Sequence, residues 1–190
     1  NMIRKVFTLC ITILLPFLTT GQHNNWAADQ LNKMSQDEKI GQLFMIAAYS
    51  NRGEAHKQEI EDLIKNYHIG GLTFFQGTPG KQVMLVNHFQ SVSKIPLLIS
   101  MDAEWGLGMR LDSTISFPRQ MTMGALQDNS LITKAASLMA GHCLRVGVQM
   151  NFAPVVDINS NPLNPVIGSR SFGEDKEMVA QKGIAYMKGL

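Results

Sequence analysis

The chain contains little cysteine, which limits how it could be cross-linked. Its 190 residues include two cysteines, Cys10 and Cys143. Cys10 lies in an apolar run near the N terminus, and Cys143 lies in a segment with helical periodicity. If the N-terminal run is removed, Cys143 remains alone and cannot form an internal disulfide. A free buried thiol is the simpler interpretation, because no cluster of metal-ligating residues surrounds Cys143 in the sequence.

The chain also lacks a marked excess of charge and a nucleotide-binding glycine motif. Its 17 basic and 15 acidic residues give a net charge of +2, to which Arg4 and Lys5 contribute at the N terminus. The remainder is nearly balanced and shows no basic face, so we expect no nucleic-acid partner. No G-x-G-x-x-G pattern follows a strand-like segment, and Gly106 with Gly108 forms too short a match to indicate a nucleotide site.

A long hydrophobic run is missing as well. The apolar stretch Val6–Leu18 spans thirteen residues, follows Arg4 and Lys5, and precedes the small residues Thr19–Gly21. These features predict a signal peptide over residues 1–21, whereas a membrane anchor would need a longer span. We therefore expect a periplasmic or secreted protein with no stable membrane span after cleavage.

What remains has the composition of a globular α/β domain. Apolar residues make up 45% and charged residues 17% of the chain. Strand-like and helix-like segments alternate, which predicts right-handed βαβ units around a parallel sheet. On periodicity alone, a partial (β/α)8 TIM-type barrel and an open doubly wound sheet both remain possible. The predicted strands are Leu43–Ala48, Leu72–Phe75, Pro96–Met101 and Val148–Val156. Ser35 and Glu38 predict the start of a short helix that runs toward Phe44, and the other predicted helices are Glu54–His68, Gly80–Ser93, Leu131–Val146 and Lys176–Leu190.

Two of the predicted strands end in a carboxylate that an arginine follows. Asp102 comes directly after the third strand and Arg110 after a glycine-containing turn. Asp157 interrupts the fourth apolar run, and Arg170 closes the long polar loop that follows it. In parallel α/β architectures the carboxyl ends of the strands carry function. Carboxylates and arginines at this edge suit the binding of a polyhydroxylated ligand.

Several segments together resemble the N-terminal barrel domain of family 3 glycoside hydrolases. They occur in the family's order over residues 31–190, and the D-x-E-x-x-x-x-x-R spacing is similar to that of the β-N-acetylhexosaminidase branch. Trp105 and Leu107 depart from the glycine pattern of that branch. The segments are MSQDEKIGQLFM (Met34–Met45), IGGLTFF, DAEWGLGMR, SFPRQMTMGA (Ser116–Ala125), and NFAPVVDIN with SRSFGED.

The resemblance implies a (β/α)8 barrel, of which residues 22–190 would form about the first half. It further implies an exported, retaining exo-glycosidase that removes terminal β-N-acetylhexosaminides, such as N-acetylglucosamine, from peptidoglycan fragments or glycans. The resemblance also implies a covalent glycosyl intermediate, and it implies that the reaction needs no metal or organic cofactor. A β-glucosidase of the same family and a non-catalytic carbohydrate-binding barrel are the alternatives.

Three residues are expected to bind the sugar on the basis of this resemblance. Asp102 could accept hydrogen bonds from two neighbouring hydroxyls, or merely cap the following turn. Arg110 and Arg170 present forks of donors to hydroxyls or an acetamido carbonyl, or are surface cations. For Asp157 we favour a structural role, either as a buried partner of Arg170 or as a cap within the loop.

No catalytic group is expected within this chain. Glu104 invites pairing with Asp102, but two positions two residues apart on a turn fix no useful separation of their carboxylates. The resemblance implies that the nucleophilic aspartate, an acid/base histidine and a Lys-His pair lie beyond Leu190, so the isolated chain is expected to be inactive. Trp105 could stack on a sugar or form part of the wall of the site, and Arg119 is expected to pack the barrel.

Overall fold

The computed structural model describes residues 25–190, so the predicted signal peptide over residues 1–21 lies outside the described residues. The chain divides into two compact units at Ser35. The first contains helix α1, Trp26–Lys33, which has no buried residue. Among residues 25–190, no helix is both long and apolar enough to cross a membrane.

The second unit, Gln36–Leu190, alternates strands and helices as the sequence predicts. Most predicted boundaries lie within two residues of those observed. The elements are α2 (Gln36–Gly41), β1 (Met45–Ala48), α3 (Glu54–Tyr67), β2 (Gly71–Phe74), α4 (Pro79–Val92), β3 (Leu98–Met101), α5 (Gln120–Gly124), α6 (Asn129–Arg145), β4 (Met150–Asn151) and α7 (Lys176–Gly189), with 3₁₀ turns at Leu107–Met109 and Gly168–Arg170.

The four strands form one parallel sheet in the order β1-β2-β3-β4. Met45 lies opposite Gly71, Gly71 opposite Leu98, and Met101 opposite Asn151. Each strand after the first therefore pairs with its predecessor in the sequence. A doubly wound sheet reverses this order at a switch point, whereas a barrel wall continues in one direction. The strand order resolves the alternative that periodicity leaves open, in favour of the barrel.

The predicted strand Val148–Val156 is much shorter than expected. Its ladder ends with the hydrogen bond from the Phe152 amide to the Met101 carbonyl, 2.9 Å long. Pro154, two residues later, has no amide hydrogen to continue the ladder. Irregular backbone follows, with half-exposed Phe152 and exposed Val156. An apolar run was therefore an unreliable guide to the length of this strand.

Two hydrophobic clusters hold the second unit together. One lies between the sheet and helices α3 and α4 and includes Cys143 of α6, and the other joins α5, α6 and α7. Burying each large side chain contributes about 1.5–3 kcal/mol before conformational entropy is counted. The largest side chains of the first cluster are Phe74, Phe89, Ile60, Leu72, Ile99 and Met101; those of the second are Tyr186, Phe172, Ile132 and Met139.

Candidate functional site

Asp102 and Arg110 lie together at the carboxyl end of β3. Asp102 directly follows the last residue of the strand, and the 3₁₀ turn returns the chain so that Arg110 faces it. The Arg110 Nη2 lies 2.8 Å from Asp102 Oδ2, and its Nε donates to the Asp102 carbonyl at 3.1 Å. Among residues 25–190, Asp102 Oδ1 has no hydrogen-bond partner, and the side chain is 32% exposed. One carboxylate oxygen is thus tied to Arg110 and the other is available to a ligand.

Arg170 forms a second ion pair, with Glu104. Its Nη2 donates to Oε1 at 2.7 Å, and its Nε lies 3.1 and 3.0 Å from Oε1 and Oε2. Glu104 is 3% exposed, while the Arg170 side chain is 31% exposed. The hydrogen bond to Glu104 raises the pKa of Arg170 above its usual value, with smaller contributions from the charges of Asp157 and Asp102. Arg170 is therefore a fixed cation at the same edge of the sheet.

The structure corrects the role predicted for Asp157. This residue is exposed, and it is Glu104 that pairs with Arg170. The backbone carbonyl of Asp157 accepts a hydrogen bond from Ser171 Oγ at 2.6 Å, while its carboxylate contributes only a longer-range attraction to Arg170. The predicted pair of Asp157 with Arg170 was wrong because it joined two residues of one loop, whereas the parallel sheet brings Glu104, at the end of the neighbouring strand, closer to Arg170.

Side chains from three other elements fix the backbone that carries both carboxylates. Asn151 on β4 accepts from the Ala103 amide at 2.9 Å and donates to the Ala103 carbonyl at 3.2 Å, as a strand backbone would. The Glu104 carbonyl accepts from Tyr186 Oη of α7 at 2.9 Å and from Gln120 Nε2 of α5 at 3.3 Å. Burial raises the pKa of the Tyr186 phenol, so it stays a donor. Asp102 and Glu104 thus project from a rigid segment.

The turn after Glu104 depends on glycine and carries Trp105. Gly106 has φ +86°, and a Cβ there would lie 2.9 Å from the Phe117 ring, so a larger residue would be strained. The Arg119 guanidinium lies 4.4 Å from the centre of the Trp105 ring, and its Nη1 donates to Ser169 Oγ at 2.9 Å. Arg119, expected only to pack the barrel, instead covers one face of Trp105 and joins the loops that carry Glu104 and Arg170.

Metal-ligating residues do not gather at this edge. Within the part of the chain that the structure describes, no three His, Cys, Asp or Glu side chains are grouped so as to hold an ion. The chemistry available there is that of two carboxylate–guanidinium pairs.

Comparison with known proteins identifies the family to which this fold belongs. The sequence profile described as "Glycosyl hydrolase family 3 N terminal domain" matches residues 35–190. Beta-hexosaminidase A of Pseudoalteromonas piscicida is 38% identical over 184 residues, covering 83% of this chain and 31% of the relative. A Cellulomonas fimi protein named beta-N-acetylglucosaminidase/beta-glucosidase is 29% identical over 175 residues, covering 92% of this chain and 30% of its own length.

A solved structure shows the same fold. The family 3 β-N-acetylglucosaminidase from Paenibacillus sp. str. FPU-7 superposes with a TM-score of 0.72 at 33% identity, over 82% of this chain and 31% of that protein. The chain thus spans about a third of the length of these relatives. Because the family profile covers most of the sequence and the fold agrees, the chain belongs to glycosyl hydrolase family 3, with residues 35–190 matching the N-terminal domain of that family.

Proposed function

We propose that the complete protein is a retaining exo-glycosidase that hydrolyses terminal β-N-acetylhexosaminides, and that this chain supplies the side chains that hold the sugar. The observation that carries the proposal is the pairing of Asp102 with Arg110 and of Glu104 with Arg170 at the carboxyl edge of a barrel-type sheet. Barrel enzymes bind and transform substrates at that edge.

Each pair offers a sugar both acceptors and donors. Asp102 Oδ1 can accept from a hydroxyl, and the N–H groups of Arg110 and Arg170 that face no protein acceptor can donate to hydroxyl or acetamido oxygens. Hydrogen bonds to charged groups contribute about 1.5–3 kcal/mol each. Because Arg110 and Arg170 are already paired with carboxylates, little side-chain freedom is lost when a sugar binds.

Glu104 has a positioning role in this proposal. It is buried, and both of its carboxylate oxygens are bonded to Arg170, so neither is free to attack an anomeric carbon. A retaining mechanism needs a nucleophilic carboxylate and an acid/base group. We assign both to other segments of the complete protein, and Asp102, Arg110 and Arg170 to substrate binding.

The relatives favour an N-acetylhexosamine but also support a second candidate. All three relatives described above are named as hexosaminidase or N-acetylglucosaminidase, and one of these names also includes β-glucosidase. Hydrolysis of β-glucosides is therefore the alternative activity. We further propose that the protein is exported to the periplasm or the medium, where it meets carbohydrate rather than nucleic acid.

The test is to assay the complete protein on 4-nitrophenyl β-N-acetylglucosaminide and on the matching β-glucoside. We expect kcat/KM at least tenfold higher on the first, and NMR should detect the β-anomer of the released sugar first. A preference for the glucoside supports the alternative activity. Binding of N-acetylglucosamine without turnover would indicate a non-catalytic carbohydrate-binding barrel and contradict the proposal.

A further inference from the structure

Four side chains form a row across the carboxyl ends of β1, β2 and β3. The Tyr49 and Phe75 rings are stacked, with centroids 5.4 Å apart and an angle of 22° between their planes. Arg52 lies over Tyr49, with Cζ 3.7 Å from the ring centre, and Arg110 lies over Phe75 at 4.8 Å. The row of Arg52, Tyr49, Phe75 and Arg110 thus ends on a residue of the proposed sugar site.

Strand register places the two rings side by side. Tyr49 follows Ala48 and Phe75 follows Phe74, and Ala48 and Phe74 lie opposite each other in the ladder. The Phe75 amide donates to the Ala48 carbonyl at 2.8 Å, which extends the pairing by one residue. The rings are therefore adjacent because of the sheet, and their positions do not depend on a mobile loop.

The backbone of Arg110 is tied to the same region. The Gly77 amide donates to the Arg110 carbonyl at 3.3 Å, and the Asp112 amide donates to the Gly77 carbonyl at 2.8 Å. These bonds fix where the Arg110 side chain starts. They leave the direction of its four-bond arm to side-chain contacts.

The Arg110 guanidinium has two such supports: Asp102, through its carboxylate and carbonyl, and the face of the Phe75 ring. Asp102 is itself proposed to bind the sugar, so its carboxylate is shared between Arg110 and the substrate. The Phe75 ring is the support that the substrate does not share. A cation over an aromatic face shifts an equilibrium by about two- to thirtyfold, depending on its exposure.

We propose that Phe75 is a positioning residue for Arg110. The ring, backed by Tyr49, holds the guanidinium in the orientation that pairs with Asp102 while leaving its outer N–H groups for the sugar. This rests on the proposed function, since it assigns Arg110 to the sugar site. The alternative is that Phe75 only packs the end of the sheet.

The test uses the complete protein with Phe75→Leu, Phe75→Tyr, Arg110→Ala and the double variant Phe75→Leu/Arg110→Ala, with exposed Phe44→Leu as the matched control. We expect Phe75→Leu to lower kcat/KM on the aryl N-acetylglucosaminide about five- to tenfold, mainly by raising KM. Phe75→Tyr, which keeps the ring face, should stay within twofold of wild type. In the Arg110→Ala background, Phe75→Leu should change kcat/KM by less than twofold.

Two kinetic results would overturn the proposal. One is that Phe75→Leu lowers kcat/KM equally with and without Arg110, and the other is that Phe75→Leu does not lower kcat/KM when Arg110 is present. Phe75→Met replaces Phe75→Leu if the latter fails to fold. A crystal structure of the variant provides a readout that does not need activity. There we expect Arg110 to leave the 2.8 Å contact with Asp102. An unchanged, fully occupied pair of Arg110 with Asp102 in the variant would overturn the proposal, even if the complete protein proved inactive. If the wild type is inactive but Arg110 is displaced in the variant, only the proposed function is contradicted.

Discussion

At the scale of single residues, the candidate site depends on which charged groups meet. The sequence marks Asp102, Arg110 and Arg170 as candidates through their positions after strand-like runs, and the structure places Arg110 on Asp102. The sequence did not predict that Glu104 rather than Asp157 holds Arg170, because that contact joins residues 66 positions apart. The contacts of Asp102, Arg110 and Arg170 with a substrate remain predictions.

Glu104→Gln tests the positioning role of this buried carboxylate. Removing its charge leaves Arg170 partly desolvated, without its ionic partner and less constrained. Because Arg170 is nearly one-third exposed, water offsets part of the loss, and we expect the free energy of unfolding to fall by about 2 kcal/mol. In the complete protein, kcat/KM should fall about ten- to hundredfold. Denaturant melts and steady-state kinetics measure both, with exposed Glu59→Gln as the control. Wild-type kcat/KM in Glu104→Gln would contradict the assignment.

Cys143 should be unreactive until the protein unfolds. The residue is 4% exposed, and burial raises the pKa of its thiol to about 11, so little thiolate exists at pH 8. In a Cys10→Ser variant, we expect labelling by a thiol reagent to follow the unfolding curve in denaturant. Complete labelling within seconds in native buffer would show that α6 is not packed as described.

At the scale of elements, regular periodicity explains what the sequence predicts well. The ends of α3, α4, α6 and α7 follow from apolar spacing and terminal signals. In contrast, α5 has five residues, too few for a periodic pattern to stand out. Strand β4 is shorter than its apolar run because Pro154 cannot extend the ladder and the Asn151 side chain takes over part of the pairing. Local sequence patterns therefore fail to predict the end of a strand where side-chain contacts replace the backbone hydrogen bonds of the sheet.

The packing of α3 against α4 should depend on pH through Glu61. Its carboxylate accepts hydrogen bonds from Lys65 on α3 and, at 2.7 Å, from His88 on α4; these bonds lower its pKa from 4.5 to about 2. A carboxyl with a depressed folded pKa stabilises the fold above about pH 4.5 and loses that contribution as the pH falls towards 2.

The melting temperatures of Glu61→Gln and wild type should therefore differ most near neutral pH and converge between pH 4.5 and 2. Exposed Glu177→Gln serves as the control, with a small difference throughout. If the difference in melting temperature between Glu61→Gln and wild type widens on acidification, the role assigned to the Glu61 carboxylate is contradicted.

At the scale of the whole molecule, the outer edges of the sheet stand out. Within the described residues, β1 and β4 each pair on one side alone. Large apolar side chains near both edges are exposed, and unpaired apolar edges favour association. They are Leu43 and Phe44 near β1, and Phe152, Val156, Ile158, Ile184 and Met187 near β4 and α7.

We expect residues 22–190, expressed alone, to self-associate rather than remain a stable monomer, because these edges and side chains lie open. Size-exclusion chromatography with light scattering measures the mass directly. A monomer that melts cooperatively and reversibly would show instead that the four βα units are sufficient by themselves.

The central claim is that Asp102 and Arg170 hold the sugar of a family 3 glycosidase, and kinetics of the complete protein test it most directly. Asp102→Ala and Arg170→Ala are compared with Arg145→Ala, an exposed arginine at the end of α6, after circular dichroism shows that all three fold. Losing a charged partner of a bound hydroxyl costs about 2–4 kcal/mol, so kcat/KM on the aryl β-N-acetylglucosaminide should fall about thirty- to thousandfold in the first two. Arg145→Ala should stay within twofold of wild type. Near-wild-type kcat/KM in both Asp102→Ala and Arg170→Ala would contradict the account.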